Sequence, residues 1–135
     1  MSPRRQARRL ALDILYQADV TGTDAHAVLE EWESTGREIP SFTRELVDGV
    51  RAHLPEIDRT IGASSEGWRV GRMAAVDRSI LRLATYELRF GAEVPVAAVI
   101  DEAVRAAKEL STEDSGRFVN GVLGKIAGAL DPREV

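Results

Sequence analysis

Four guanidinium groups, Arg4, Arg5, Arg8 and Arg9, fall within the first nine residues, and no acid precedes Asp13. Guanidinium binds phosphate bidentately and stacks on planar rings. On a helix turning about 100° per residue, Arg5, Arg9, Leu12 and Tyr16 line up as an i, i+4, i+7, i+11 stripe, with Arg8 at its border. This stripe runs roughly opposite an arc of Ala7, Ile14 and Ala18. Cationic donors interleaved with an exposed aromatic ring suit single-stranded RNA, which is held through its phosphates and its unpaired bases. Two plainer readings stay open. The arginines can form a solvated basic terminus, and Leu12 with Tyr16 can pack a second helix.

The rest of the charge sharpens the contrast. The chain sums to -4, and setting the four arginines aside leaves 14 basic against 22 acidic residues, a balance of -8. A cationic patch on an anionic body attracts a polyanion at one place and repels it elsewhere. A second candidate lies near the C-terminus, where Phe118 follows Arg117 just after the polar run Ser111-Thr112-Glu113-Asp114-Ser115. Core packing is one role for that ring; a phosphate site at a helix N-terminus is the other. Arg78, Arg82 and Arg89 form a further basic stripe, adequately explained as a solvated face paired with nearby acids.

Catalytic chemistry finds little footing. Without cysteine there is no thiolate nucleophile, disulfide or cysteine-held metal. His26 and His53 lack partners at metal-ligand spacing and read as ordinary helix residues. Gly121-Val122-Leu123-Gly124 lies inside a helical pattern, so those glycines are expected to allow close helix contact, not to cradle phosphate. Glu87 sits amid an apolar arc and reads as a satisfied structural carboxylate. Trp32 and Trp68 lie in apolar patterns and read as core or rim packing. No catalytic group, cofactor or metal is expected.

The elements that must position these groups are helical almost throughout. With 135 residues the chain is expected to fold as one domain, 1–135, large enough to bury about two thirds of its unfolded surface. The first helix ends at Thr21-Gly22. A short second follows Thr23 or Asp24 and stops at Gly36. A third opens near Ser41, with a break predicted just before Pro55. Ala63 to Gly67 reads as a loop and Trp68 to Met73 as a short turn or helix. Another helix runs from Asp77 as N-cap to Gly91 as C-cap. Pro95 opens the next, and the last starts at Asp114 or Ser115 and reaches about Leu130, leaving 131–135 as a loose tail. This makes an all-α bundle of six or seven helices. No apolar run approaches the ~20 residues of a membrane span, and Asp13 and Asp19 interrupt any signal-like core. A cytoplasmic protein without membrane contact is expected.

Several of these segments resemble the NusB family of bacterial transcription antitermination factors. They are Arg4-Arg5-Gln6-Ala7-Arg8-Arg9-Leu10-Ala11-Leu12 with Leu15-Tyr16-Gln17, and Val76-Asp77-Arg78-Ser79-Ile80-Leu81-Arg82-Leu83-Ala84-Thr85-Tyr86-Glu87-Leu88. Pro95, Ile100-Asp101-Glu102-Ala103, Ala107-Lys108 and Ser115-Gly116-Arg117-Phe118-Val119-Asn120-Gly121-Val122-Leu123 follow in the family's order. The resemblance implies two packed three-helix halves and binding of boxA RNA from ribosomal-RNA leader transcripts. It implies as partners the small-subunit ribosomal protein NusE and the RNA polymerase antitermination complex, with a homodimer in some members. Arg4, Arg5, Arg8 and Arg9 match the family's arginine-rich motif and Tyr16 its accompanying tyrosine. Asp114, Ser115, Arg117 and Phe118 match the second part of its RNA surface, and Asp77 with Arg78 lies on the helix that meets NusE. Gln6, Arg9, Asp101 and Gly124 depart from common family residues.

Overall fold

Helix-period apolar spacing yields seven α-helices and one 3-10 turn in the computed structural model, which describes residues 2–91 and 94–130. No strand occurs among the described residues. The expected tail at 131–135 lies outside them. Contacts divide the chain into two units, Met1–His53 and Leu54–Val135.

The first unit holds α1 (Pro3–Thr21), α2 (Ala25–Ser34) and α3 (Ser41–Ala52). Pro3 stands in the first turn of α1, where its missing N–H costs nothing, and the Ser2 hydroxyl accepts the Arg5 N–H at 3.2 Å. Gly22, at φ 68°, closes the helix in the left-handed conformation that glycine adopts freely. Helix α1 packs on both α2 and α3. Its buried arc is therefore wide, taking in Ala7, Ala11, Leu12, Ile14, Leu15 and Ala18. Val28 and Leu29 of α2 and Leu46, Val47 and Val50 of α3 complete this core. Polar links fix the helices: the buried Thr43 hydroxyl donates to the Ala7 carbonyl at 2.8 Å, and Arg51 pairs with Asp24 at 2.5 Å. His26 Nδ1 lies 3.0 Å from Asp48 Oδ1, a hydrogen bond that favours the protonated ring and holds its pKa above the ordinary 6.5.

The second unit holds α4 (Leu54–Ala63), a 3-10 turn (Val70–Arg72), α5 (Ala75–Phe90), α6 (Val96–Leu110) and α7 (Glu113–Ala129). The predicted break falls at His53, leaving Pro55 in the first turn of a separate helix. This unit consequently carries four α-helices, one more than the resemblance implies. Helix α5 contacts α4, α6 and α7, and α6 lies along α7. Asp77 is the third residue of α5, not its N-cap, which is Ala74. Its carboxylate still complements the positive end of the helix dipole. Thr112 caps α7, accepting the Ser115 N–H at 3.0 Å.

The glycine expectation needs correction. A Cβ added at Gly121 or Gly124 would meet nothing within 4 Å, because both face outward. The close approach occurs at Gly116, where a Cβ would come within 2.7 Å of the Lys108 side chain.

Candidate nucleic-acid interface

Each unit carries part of the predicted site. In the first, Arg4 is exposed, and Arg5, Arg8 and Arg9 are half-buried along α1. Phe42, the second residue of α3, lies beneath two of them: the Arg4 guanidinium is 4.2 Å from its ring centroid and that of Arg8 5.3 Å. Guanidinium at this range is attracted to the negative face of the ring. Phe42 falls in the three-and-four apolar spacing of α3 with Leu46 and Val50, a pattern that gives no sign of this role. Tyr16 is exposed as predicted, at 41%. Leu12 is not: only 5% of it is accessible, since helices flank α1 on two sides and draw it into the core.

The arginines oppose the helix they sit on. Helix α1 has no acid in its first turn, where the dipole favours one, and the two cations there, Arg4 and Arg5, are each unfavourable by about 0.3–1 kcal/mol. The helix dipole gives no reason to place Arg4 and Arg5 in the first turn, whereas attraction for an external anion does.

In the second unit, the α7 residues divide between surface and interior. Asp114 and Arg117 are exposed and form an i, i+3 ion pair. Ser115 is buried: its backbone N–H meets Thr112, and its hydroxyl lies 2.9 Å from Ser111 Oγ and donates to Asp77 Oδ2 at 3.4 Å. The serine thus joins α7 to α5. The helix N-terminus is no open phosphate site, because Thr112 caps it and Glu113 and Asp114 occupy its first turn.

Arg78 points its chemistry inward. Its Nη1 donates to the carbonyls of Val70 (3.1 Å) and Met73 (3.0 Å), tying the 3-10 turn to α5. Arg82 grips Asp58 bidentately with two 2.9 Å bonds, and Arg89 reaches Thr60 at 3.0 Å and Glu56 at 3.4 Å. Arg82 and Arg89 therefore form a structural seam between α5 and α4, paired with acids as expected but half-buried where a solvated face was expected, and Arg78 binds backbone carbonyls instead.

The residue that sequence reasoning missed is Trp68. It is 58% exposed and meets Phe118 edge to face, with ring centroids 6.0 Å apart. The loop before it explains the placement. Buried Ser65 donates its hydroxyl to the Ile61 carbonyl, while Glu66 and Gly67 take positive φ and turn the chain outward. Glu66 then pairs with Lys125, which holds its carboxyl below the usual range. Trp68, Phe118, Asp77, Asp114, Met73 and Ala74 enclose a hollow of about 220 Å³ together with Ser115. A neighbouring hollow of about 290 Å³ shares Trp68 and Phe118 and reaches Arg117 and Lys125. The only sequence signal was the flanking Ser64-Ser65-Glu66-Gly67, a turn that could lift the tryptophan out of its apolar pattern.

The helices and surfaces define an all-helical protein with an arginine-lined first helix and an aromatic surface pair on its second unit. The NusB family model matches residues 5–128, and the chain belongs to that family. The transcription antitermination protein NusB of Saccharopolyspora erythraea is 48% identical over 134 residues, covering 97% of this chain and 90% of that protein. Among solved structures, T. maritima NusB superposes with a TM-score of 0.88 at 38% identity, covering 98% and 96% of the two chains. A crystal structure of the antitermination factors NusB and NusE in complex with dsRNA matches with a TM-score of 0.83 at 30% identity, covering 94% and 97%.

Proposed function

We propose that this chain is a non-catalytic antitermination adaptor. It binds boxA RNA of ribosomal-RNA leader transcripts together with NusE and helps RNA polymerase pass terminators, acting in the cytoplasm where the transcript is made. The observation that carries the reading is the arginine face of α1: four cations within its first two turns, two of them held over Phe42, in a chain of the NusB family. Arg4, Arg5, Arg8 and Arg9 attract phosphate and Tyr16 offers a ring to a base. Arg117 and Phe118 contribute a second contact set, with Asp114 as the exchangeable partner of Arg117. Ser115 serves from the interior by fixing α7 to α5. The acidic remainder limits indiscriminate RNA binding and suits a basic ribosomal protein near Asp77, while Arg78 supports that region by holding the 3-10 turn.

The test is binding of labelled boxA RNA against a scrambled control, with and without NusE. Selective binding, strengthened by NusE and reduced in the R5A/R9A variant with helicity intact, is the expected result. Unchanged affinity in that variant would refute the phosphate role. The other reading, a homodimerising module closed by Leu12 and Tyr16, is weakened because Leu12 is buried within its own unit.

A further inference from the structure

Helix α1 has an aromatic ring on each flank. On a helix turning about 100° per residue, Gln17 stands roughly opposite Arg4 and Arg8, with Arg5, Arg9, Asp13 and Tyr16 facing outward between them. Phe42 holds the first flank. The second belongs to Trp32 of α2, whose indole Nε1 donates to Gln17 Oε1 at 3.0 Å. Past α2 the chain doubles back. The Thr35 hydroxyl donates to the Trp32 carbonyl at 2.7 Å and the Gly36 N–H to the Glu33 carbonyl at 3.0 Å. Gly36 takes φ 91°, a left-handed value suited to glycine. That turn brings the Arg37 guanidinium to 4.1 Å from the Trp32 ring centroid.

Two other arginines of this unit, Arg44 and Arg51, are bound by Glu33 and Asp24. Arg37 rests on a ring instead, so its side chain is already ordered and the N–H edges of its plane point away from the ring. The acid near it is shared. Asp13, exposed in the outward row, lies in the field of both Arg9 and Arg37. Partial burial keeps its carboxyl above the ordinary 3.8, although both guanidiniums draw it down. One carboxylate between two cations leaves a positive excess, and it makes Arg37 electrostatically continuous with the arginine face.

Resting on the RNA-binding reading above, we infer that Arg37, seated on Trp32, is a further phosphate site of this chain. The single strand crosses the outward face of α1 from the Phe42 flank to the Trp32 flank, and Asp13 repels it from the space between Arg9 and Arg37. A guanidinium kept flat on a ring presents parallel N–H donors to two oxygens of one phosphate. An acidic side chain of a protein could meet the same edge. RNA carries a charge at every nucleotide, however, so a strand already on Arg5 and Arg9 delivers its next phosphate to Arg37 without a second encounter. Shielding Trp32 from water needs only an apolar stem, whereas binding phosphate needs the charge. Substitution separates the two roles.

The experiment uses the full chain and labelled boxA RNA over a salt series, with oligoglutamate titrated in parallel. Arg37→Ala is expected to weaken binding several-fold at low salt. It should also lower the slope of log affinity against log salt by about 0.7, the share of one single-strand phosphate contact. Arg37→Met, which keeps the cover over Trp32, should match the Tm of the unsubstituted chain but not its slope. Asp13→Asn should strengthen binding at low salt, and the gain should shrink in combination with Arg37→Ala. Arg44→Ala makes the same change of net charge and should leave the slope unchanged, since Glu33 holds that cation. An unchanged slope in Arg37→Ala, with binding that still falls in R5A/R9A, would overturn the Arg37 site and leave the adaptor reading standing. An equal loss of slope in Arg44→Ala would assign the effect to overall charge and overturn the site likewise. Oligoglutamate binding that depends on Arg37, with RNA binding indifferent to it, would give the site to an acidic protein partner instead. Absence of RNA binding by the unsubstituted chain would remove both readings together.

Discussion

Phe42 does for the arginine patch what no charge can do. A free guanidinium on a long side chain samples many rotamers and gives up that freedom when it meets phosphate. With Arg4 and Arg8 resting on the Phe42 ring at 4.2 and 5.3 Å, part of that cost is met before RNA arrives. Phe42→Ala is therefore expected to weaken RNA binding several-fold, while Phe42→Tyr, which keeps the ring face, restores it. Equal affinity in all three proteins would show that the ring contributes nothing to positioning. The same contact shows where residue-level reading ends. The arginines were legible because charge and spacing are local properties. Phe42 is more than thirty positions away, and its apolar spacing in α3 was equally compatible with full burial. Trp68 escaped for the converse reason: its spacing read as core or rim packing, whereas the turn at Glu66 and Gly67 points it outward as a mostly exposed ring.

At the level of elements, the helices followed from periodicity and punctuation. The closing Gly22, the break before Pro55 and the opening at Pro95 all act through local backbone sterics, so each could be placed within a residue or two. The start of α5 was less accessible. Asp77 has the chemistry of an N-cap, yet the helix begins two residues earlier with no capping side chain, and the acid turns to the Ser115 hydroxyl thirty-eight residues on. The glycines of α7 failed for a related reason, since small residues in a helix signal close packing only when a neighbour is known to be there. Gly124 has open space around it, so it weakens the helix through backbone freedom without giving anything in packing. Gly124→Ala should stabilise the protein by about 0.5–1 kcal/mol, read as a higher Tm or denaturant midpoint. Destabilisation would mean that the position meets something beyond this chain's own described residues.

For the whole molecule, the question is how a chain of net charge -4 holds a polyanion. The arginines at the start of α1 gather positive charge at one place, while the acids are spread through the remainder of the sequence. Binding should therefore be short-footed and strongly dependent on few contacts. If Arg4, Arg5, Arg8 and Arg9 each neutralise one phosphate of a single strand, log affinity should fall with log salt at a slope of about 3. Each arginine-to-alanine change should lower that slope by about 0.7 and weaken binding to all sequences alike. Trp68→Ala should behave differently, lowering affinity at every salt concentration with little change of slope, because stacking releases no counterions. A salt series on boxA RNA therefore separates the two parts of the surface. A slope near zero in the unsubstituted chain would remove the electrostatic foundation of the arginine face. A slope near 3 that persists after all four arginines are replaced would assign the phosphate contacts to cations elsewhere in the chain.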